Sequence, residues 1–253
     1  MKLGAQLYSV RTFLQTEEEL KNTFIKIKNI GYENVQLSGA PQMDAYFLKT
    51  VSEENALPIV CTHSPYDRII GDTEALIQEH KIFGCPVIGL GSMPKDMRGT
   101  KEGMDKFFAE LEDPVKKIKA VGLDFAYHHH SFEFDKFTDY NGFAFDFIEE
   151  KQDWSIILDT YWIEYAGRSA VDYIKRIGGE RLKNVHFKDM KGNETRDICH
   201  CGEGILDFRA IADICRSIGV ENVLVEQDNA TKTDDPFMEM KLSYDYLKET
   251  LIL

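Results

Sequence analysis

No apolar run in the 253 residues approaches the ~18 needed to cross a bilayer, so no membrane span or membrane partner is expected. An even, framework-like set of cysteines is also missing. Five cysteines in a chain of this length argue against a disulfide scaffold and for a reducing cytoplasm. Nothing resembles a signal peptide, because Met1 to Gln6 leads directly into a plausible strand. A basic patch is missing too. The formal net charge is -13, and such a chain repels nucleic acid. Its densest basic stretch, Lys116-Lys117-Ile118-Lys119, reads as the solvated face of a helix. Finally, no Gly-x-Gly-x-x-Gly turn follows the first strand. Tyr8-Ser9-Val10-Arg11 stands there instead, which counts against an open doubly wound sheet holding a dinucleotide.

What the chain does have is alternation. Apolar strands are expected at Leu3–Tyr8, Glu33–Leu37, Pro58–His63, Pro86–Gly91, Leu123–His128, Trp154–Leu158, Leu182–Phe187 and Asn222–Val225. Helical periodicity fills the gaps. Thr16 and Glu19 form a capping box before a helix ending at Ile30 and stopped by Gly31. Further helices are expected over Ala45–Asn55, Asp72–Phe83, Lys101–Val121, Phe143–Glu150, Ser169–Ile177, Phe208–Ile218 and Pro236–Leu251. Pro114 predicts a kink or break in the longest of them. A loop is expected from Met190 to Leu206. Short apolar strands introduced by glycine turns or proline suit parallel strands buried on both faces. Eight such units without a linker predict an α/β fold, a single-domain (β/α)8 TIM barrel over residues 1–253.

Catalysis in such a barrel sits at the carboxyl ends of the strands. Strand five ends in His128 and His130, followed by Glu133. Strand six ends in Asp159. Strand seven ends in His186 with Lys188 two residues on, and strand eight in Glu226 with Asp228 two residues on. Three carboxylates buried together need a counter-charge, and a divalent cation is the simplest. A carboxylate-rich set with an imidazole suits Mn²⁺ first, with Co²⁺, Mg²⁺ or Zn²⁺ as alternatives. Alternation turns His128 and His130 to one side of the strand and His129 to the other. Either of the first two could replace Glu133 as the fifth-strand ligand.

Four motifs now stand in order: Tyr127 to Phe134, Leu158 to Trp162, Val185 to Asp189 and Gly202 to Phe208. Together with the opening Gln6 to Arg11, they resemble the sugar phosphate isomerase/epimerase family, whose barrel is like that of xylose isomerase. The resemblance covers nearly the whole chain. Asp-Thr-Tyr-Trp followed by His-x-Lys-Asp separates it from endonuclease IV relatives, which carry more histidines and act on DNA. The resemblance implies a metal, often Mn²⁺, held by Glu, Asp, His and Glu. Carried over, these are Glu133, Asp159, His186 and Glu226, with His128 and His130 still competing for the first place. Relatives often have Gly-x-Asp-Pro after strand six. This chain has Gly167-Arg168-Ser169-Ala170, which weakens transfer of any particular substrate.

The implied chemistry is proton transfer beside the carbonyl of a sugar or keto sugar through a metal-stabilised enediolate. Glu226 is the first candidate base and Glu133 its partner on the opposite face. His63, His128 and His130 are expected to offer hydrogen bonds to substrate. Lys188 would pair with a substrate oxygen or, alternatively, with Asp189 or Asp228. Trp162 and Tyr8 offer flat faces for a sugar ring. Cys199-His200-Cys201-Gly202-Glu203-Gly204 does not match a closed zinc pattern. It reads as a covering loop whose glycine N–H groups could hold a phosphate or hydroxyl. A lyase or hydratase of 3-keto-sugars or glycosides would use the same site. An AP endonuclease-like phosphodiesterase and a catalytically silent sugar-binding barrel are the remaining alternatives. The expected partner is a small carbohydrate, and the charge does not forbid a dimer or tetramer.

Overall fold

The computed structural model describes residues 1–151 and 153–251; residue 152 and the last two positions of the expected domain lie outside the described residues. The parallel strands are β1 (Lys2–Gln6), β2 (Val35–Leu37), β3 (Ile59–His63), β4 (Val87–Leu90), β5 (Asp124–His128), β6 (Ser155–Asp159), β7 (Leu182–Phe187) and β8 (Asn222–Val225). Each pairs with the next, and β8 closes onto β1 from Lys2↔Asn222 to Ala5↔Val225. The helices outside them are α1 (Glu17–Ile30), α2 (Ala45–Glu54), α3 (Thr73–Phe83), α4 (Lys101–Ala120), α5 (Ala144–Glu150), α6 (Ala170–Ile177), α7 (Phe208–Ser217) and α8 (Pro236–Leu251). This is the expected (β/α)8 barrel. Strands covered on both faces have no solvent side, so β6 is buried at every position.

The capping box on α1 forms as expected, with Thr16 accepting the Glu19 N–H and Glu19 accepting the Thr16 N–H. Pro114 does not break α4. The same face buries Met104, Phe107, Leu111, Val115 and Ile118. At roughly 1.5–3 kcal/mol each, that burial exceeds the ~3 kcal/mol cost of an interior proline.

Three local features differ from expectation. β1 ends at Gln6 rather than Tyr8, because the Gln6 side chain accepts the Tyr8 N–H and turns the chain into a 3-10 segment over Leu7–Phe13. Short helices follow β3 (Tyr66–Gly71) and β6 (Thr160–Tyr165). The loop after β7 contains an antiparallel ribbon of Asp189–Met190 with Ile198–Cys199.

Most of the core lies between strands and helices. Cys61, Val87, Ala126 and Ile157 form a small separate apolar cluster. On β3, β5 and β6, two residues further along, stand His63, His128 and Asp159. Side chains two apart on a strand share a face, so an apolar layer gives way to a polar one toward the carboxyl ends. Among the described residues no helix is long and apolar enough to cross a membrane.

Candidate metal centre

β6 delivers its carboxylate by ending in it. Asp159 is fully buried, and its Oδ1 accepts the Trp162 N–H to start the short helix 160–165. That leaves Oδ2 facing the barrel axis. Register places His186 of β7 beside Asp159. Thr160 staples the two strand ends together, its hydroxyl meeting the His186 and Lys188 carbonyls at 3.1 and 2.9 Å and accepting the Lys188 N–H at 3.0 Å. Glu226 follows β8, where its N–H donates to the Phe187 carbonyl. His128, Asp159, His186 and Glu226 each bring one ligand atom into a group whose members lie within 4.8 Å of one another. All four are buried.

The donor set fits a cation on geometric grounds. His128 Nδ1 lies 3.0 Å from the Gly91 carbonyl, which can only accept, so the ring proton sits there. Nε2 is left bare, 3.5 Å from Asp159 Oδ2. His186 is held the same way from its other side, with Nε2 at 2.7 Å from Gln36 Oε1. Its Nδ1 then faces Glu226 Oε2 at 3.0 Å and Asp159 Oδ2 at 3.8 Å. As neutral nitrogens neither inward atom has a donor to accept from among the described residues, and each faces only carboxylate oxygen. Lone pairs of nitrogen and carboxylate oxygen repel unless a positive charge lies between them. The protein alone meets that need with a proton. Burial would lower the His186 pKa, but Glu226 and Asp159 push it up to about 9. A divalent ion would displace that proton and satisfy both nitrogens at once.

Lys188 is the second counter-charge. Its ammonium is buried, 3.3 Å from Asp159 Oδ2, 3.3 Å from Glu226 Oε2 and 2.6 Å from Asp228 Oδ2. Burial works against its charge, but the three carboxylates hold its pKa well above the usual lysine value. In return, the Asp159 carboxyl, which burial would raise, is held well below its ordinary range by Lys188 and the two imidazoles. Of the expected partners for Lys188, Asp228 is found and Asp189 is not.

Of the three residues expected to compete for the fifth-strand place, His128 lies in the group and Glu133 does not. A 3-10 turn over Phe132–Phe134 carries it away from the axis. Its fully buried carboxylate accepts the Tyr127 hydroxyl and, at 2.8 Å, the His130 N–H. Burial raises its pKa to about 7 against those two donors. His129 points outward as alternation requires, packs on Phe134 and Phe145, and accepts the Asp159 N–H at 3.0 Å.

A cavity of about 770 Å³ opens above the group, lined by Tyr8, His63, His128, His130, Lys188 and Glu226 among others. One face of Tyr8 is covered by the Arg11 guanidinium, 4.2 Å from the ring centre. Trp162 is not on the cavity wall. It backs the Lys188 ammonium at 5.1 Å and the His130 ring at 5.2 Å. The His63 imidazole is kept neutral, burial first and then the neighbouring His128 and His186 holding its pKa well below 6.5.

The glycine loop does not offer its N–H groups to a ligand. Asp189 takes them, accepting from Met190, Gly202, Gly204 and Leu206 at 2.8, 2.9, 3.0 and 3.2 Å. A Cβ at Gly204 would stand 2.3 Å from Asp189 Oδ1, so only glycine permits this approach. Gln36 is a contributor that the strand ends did not point to, and Asp189, expected beside Lys188, orders the glycine loop instead. The available signal was a glutamine in an otherwise apolar strand, Val35-Gln36-Leu37, since uncharged polar groups inside a barrel need a partner.

The family described as xylose isomerase-like TIM barrel matches residues 24–249. A sugar phosphate isomerase/epimerase from Parabacteroides distasonis superposes with a TM-score of 0.79 at 20% identity, over 98% of this chain and 98% of that one. A structure named L-ribulose 3-epimerase gives 0.75 at 16% identity, over 99% and 94%. A probable 3-DHS dehydratase from Bacillus anthracis gives 0.72 at 15% identity, over 98% and 99%. At these identities the likeness is one of fold. No curated protein matches the chain in sequence.

Proposed function

The chain belongs to the xylose isomerase-like TIM barrel family, and from that premise we propose that it is a divalent-metal-dependent isomerase or epimerase of a sugar or keto sugar. The observation that carries this reading is the convergence of two inward-facing imidazole nitrogens and two carboxylates beneath an open cavity. The neighbours named as sugar epimerases support the substrate class. His128, Asp159, His186 and Glu226 would hold the ion. Two nitrogen and two oxygen donors favour Mn²⁺, Co²⁺ or Zn²⁺ over Mg²⁺, and Mn²⁺ is our choice. Five free cysteines suit a reducing compartment, the cytoplasm.

Bound there, a divalent cation supplies Lewis acidity toward a carbonyl and its neighbouring hydroxyl. The chain's own groups do the rest. Glu226 lines the cavity and takes the proton from the carbon beside the carbonyl. Lys188 donates to the oxygen on which charge develops as the enediolate forms. Asp228 keeps the ammonium at the wall, 2.6 Å away. Returning the proton to the adjacent carbon gives isomerisation. Epimerisation needs a second acceptor, and Asp228 is the other carboxylate on the cavity wall.

The test is deuterium exchange. The Mn²⁺-loaded protein is incubated in D₂O with ketohexoses, keto sugar phosphates, inososes and 3-keto-glucosides and followed by NMR. Exchange at a carbon beside the carbonyl is expected, and loss of a β-substituent instead would identify a lyase. Glu226→Gln is expected to slow exchange by roughly 10³-fold or more with the fold intact. Absence of exchange on every compound would overturn the proposal.

A further inference from the structure

Gln6 closes β1 and is fully buried. Its Oε1 accepts the Tyr8 N–H at 3.0 Å. That contact settles which way the carboxamide faces, because a backbone N–H can only donate and would oppose an NH₂ group. The NH₂ end must then face the other neighbour, His63 Nδ1, at 3.4 Å. An amide NH₂ donates only, so Nδ1 is the accepting nitrogen of that ring. The Ser38 hydroxyl, 3.3 Å from the same nitrogen, can donate to it as well. The proton of the neutral imidazole therefore sits on Nε2.

Nε2 is buried and has no hydrogen-bonding partner among the described residues. The ring lines the cavity, with its centre 5.0 Å from that of His128 and 5.8 Å from that of His186. It thus stands beside both imidazoles of the candidate metal group. Gly91 makes room for it, since a Cβ there would come within 3.0 Å of Nδ1. A desolvated donor without a partner is destabilising, and a ligand oxygen would relieve it.

We infer that His63 is a catalytic hydrogen-bond donor, presenting a neutral Nε2–H to a substrate oxygen next to the metal group, and that Gln6 is the positioning residue that fixes its tautomer. The inference rests on the sugar reading above. It gives His63 the role of an electrophile rather than a base. A neutral N–H aimed at the oxygen where charge develops stabilises the transition state more than the ground state. It also predicts preference for substrates with an oxygen at that place, because an analogue lacking it leaves the donor bare.

The experiment begins with ¹⁵N-histidine-labelled full-length protein and long-range ¹H–¹⁵N correlation, with His63 assigned by difference against His63→Gln. The expected wild-type spectrum has the proton on Nε2. In Gln6→Glu a carboxylate meets Nδ1, so the proton should move to Nδ1 while the variant stays folded. With Mn²⁺ and the best sugar from the exchange screen, His63→Leu and Gln6→Glu should each lower kcat by roughly 10²-fold with KM changed less than about threefold. His63→Gln keeps an N–H donor near the Nε2 position and should retain activity within roughly tenfold. A wild-type spectrum with the proton on Nδ1 overturns the inference whether or not any sugar is turned over. So does wild-type kcat in His63→Leu. An inactive enzyme carrying the proton on Nε2 counts against the proposed activity and leaves the tautomer assignment standing.

Discussion

His128 turns its bare nitrogen toward Asp159 because a carbonyl holds the other one. Glu133, five residues on, is held just as firmly but in another direction, by Tyr127 and the His130 N–H. The two residues therefore fail differently when replaced. His128→Ala removes a donor from the group and is expected to weaken Mn²⁺ binding by at least ~100-fold, with little change in the rest of the barrel. Glu133→Gln should leave Mn²⁺ binding within a few-fold. Its NH₂ will oppose one of two donors now satisfied, at a cost of about 1–3 kcal/mol in stability. Competition with a chelating dye measures the first quantity and urea unfolding the second. The opposite pattern, with metal lost in Glu133→Gln and kept in His128→Ala, would return the ligand's place to Glu133.

Elements are tied together here by single polar contacts, and one of them makes stability depend on pH. His80 sits on α3, where its Nδ1–H donates to the Leu76 carbonyl at 2.8 Å and Nε2 meets the Thr62 hydroxyl of β3 at 2.9 Å. Burial lowers its pKa from 6.5 to about 4. Above the unfolded value the ring is neutral in both states and the contribution is fully present. As pH falls through the window from 6.5 to about 4, the unfolded chain binds a proton that the folded one refuses. Stability is then lost at about 1.4 kcal/mol per pH unit, to a total of roughly 3 kcal/mol. His80→Gln should be less stable than wild type near neutrality and approach it as pH falls to about 4.5. A gap between the two urea curves that stays constant across that range would disprove the assignment. Neither the packing of His80 nor its pairing with Thr62 could be read from the sequence, where it is one polar residue in the last turn of a helix. Strand order and the helix series were legible, because period-two and period-3.6 patterns are local properties. The ends of elements were not. Whether β1 stops at Gln6 depends on one side chain folding back to Tyr8. Whether Glu133 stays near the axis depends on where the chain leaves β5. Pattern has no hold on either.

At the scale of the whole molecule, closure of the barrel is what makes the metal group and the fold one equilibrium. Asp159 and Glu226 stand sixty-seven positions apart in the sequence, and they meet only when β6, β7 and β8 are in register. The unfolded chain has no such group, so an ion that binds it must stabilise the fold. At free Mn²⁺ about a hundredfold above Kd the gain is roughly 2.7 kcal/mol. For a domain of this size that corresponds to a rise of roughly 5–10 °C in Tm. Excess chelator should reverse the rise. Mg²⁺ at equal concentration should give less, because two of the four donors are imidazoles and Mg²⁺ favours oxygen. Asp159→Asn tests the source of the effect. The variant loses a negative ligand while Lys188 keeps Glu226 and Asp228 as partners. Its Tm should therefore hardly respond to Mn²⁺. Scanning calorimetry on wild type and variant, with and without the ion, decides the matter. An equal rise in both proteins would mean that Mn²⁺ binds the acidic surface of a chain with net charge -13 rather than the strand ends.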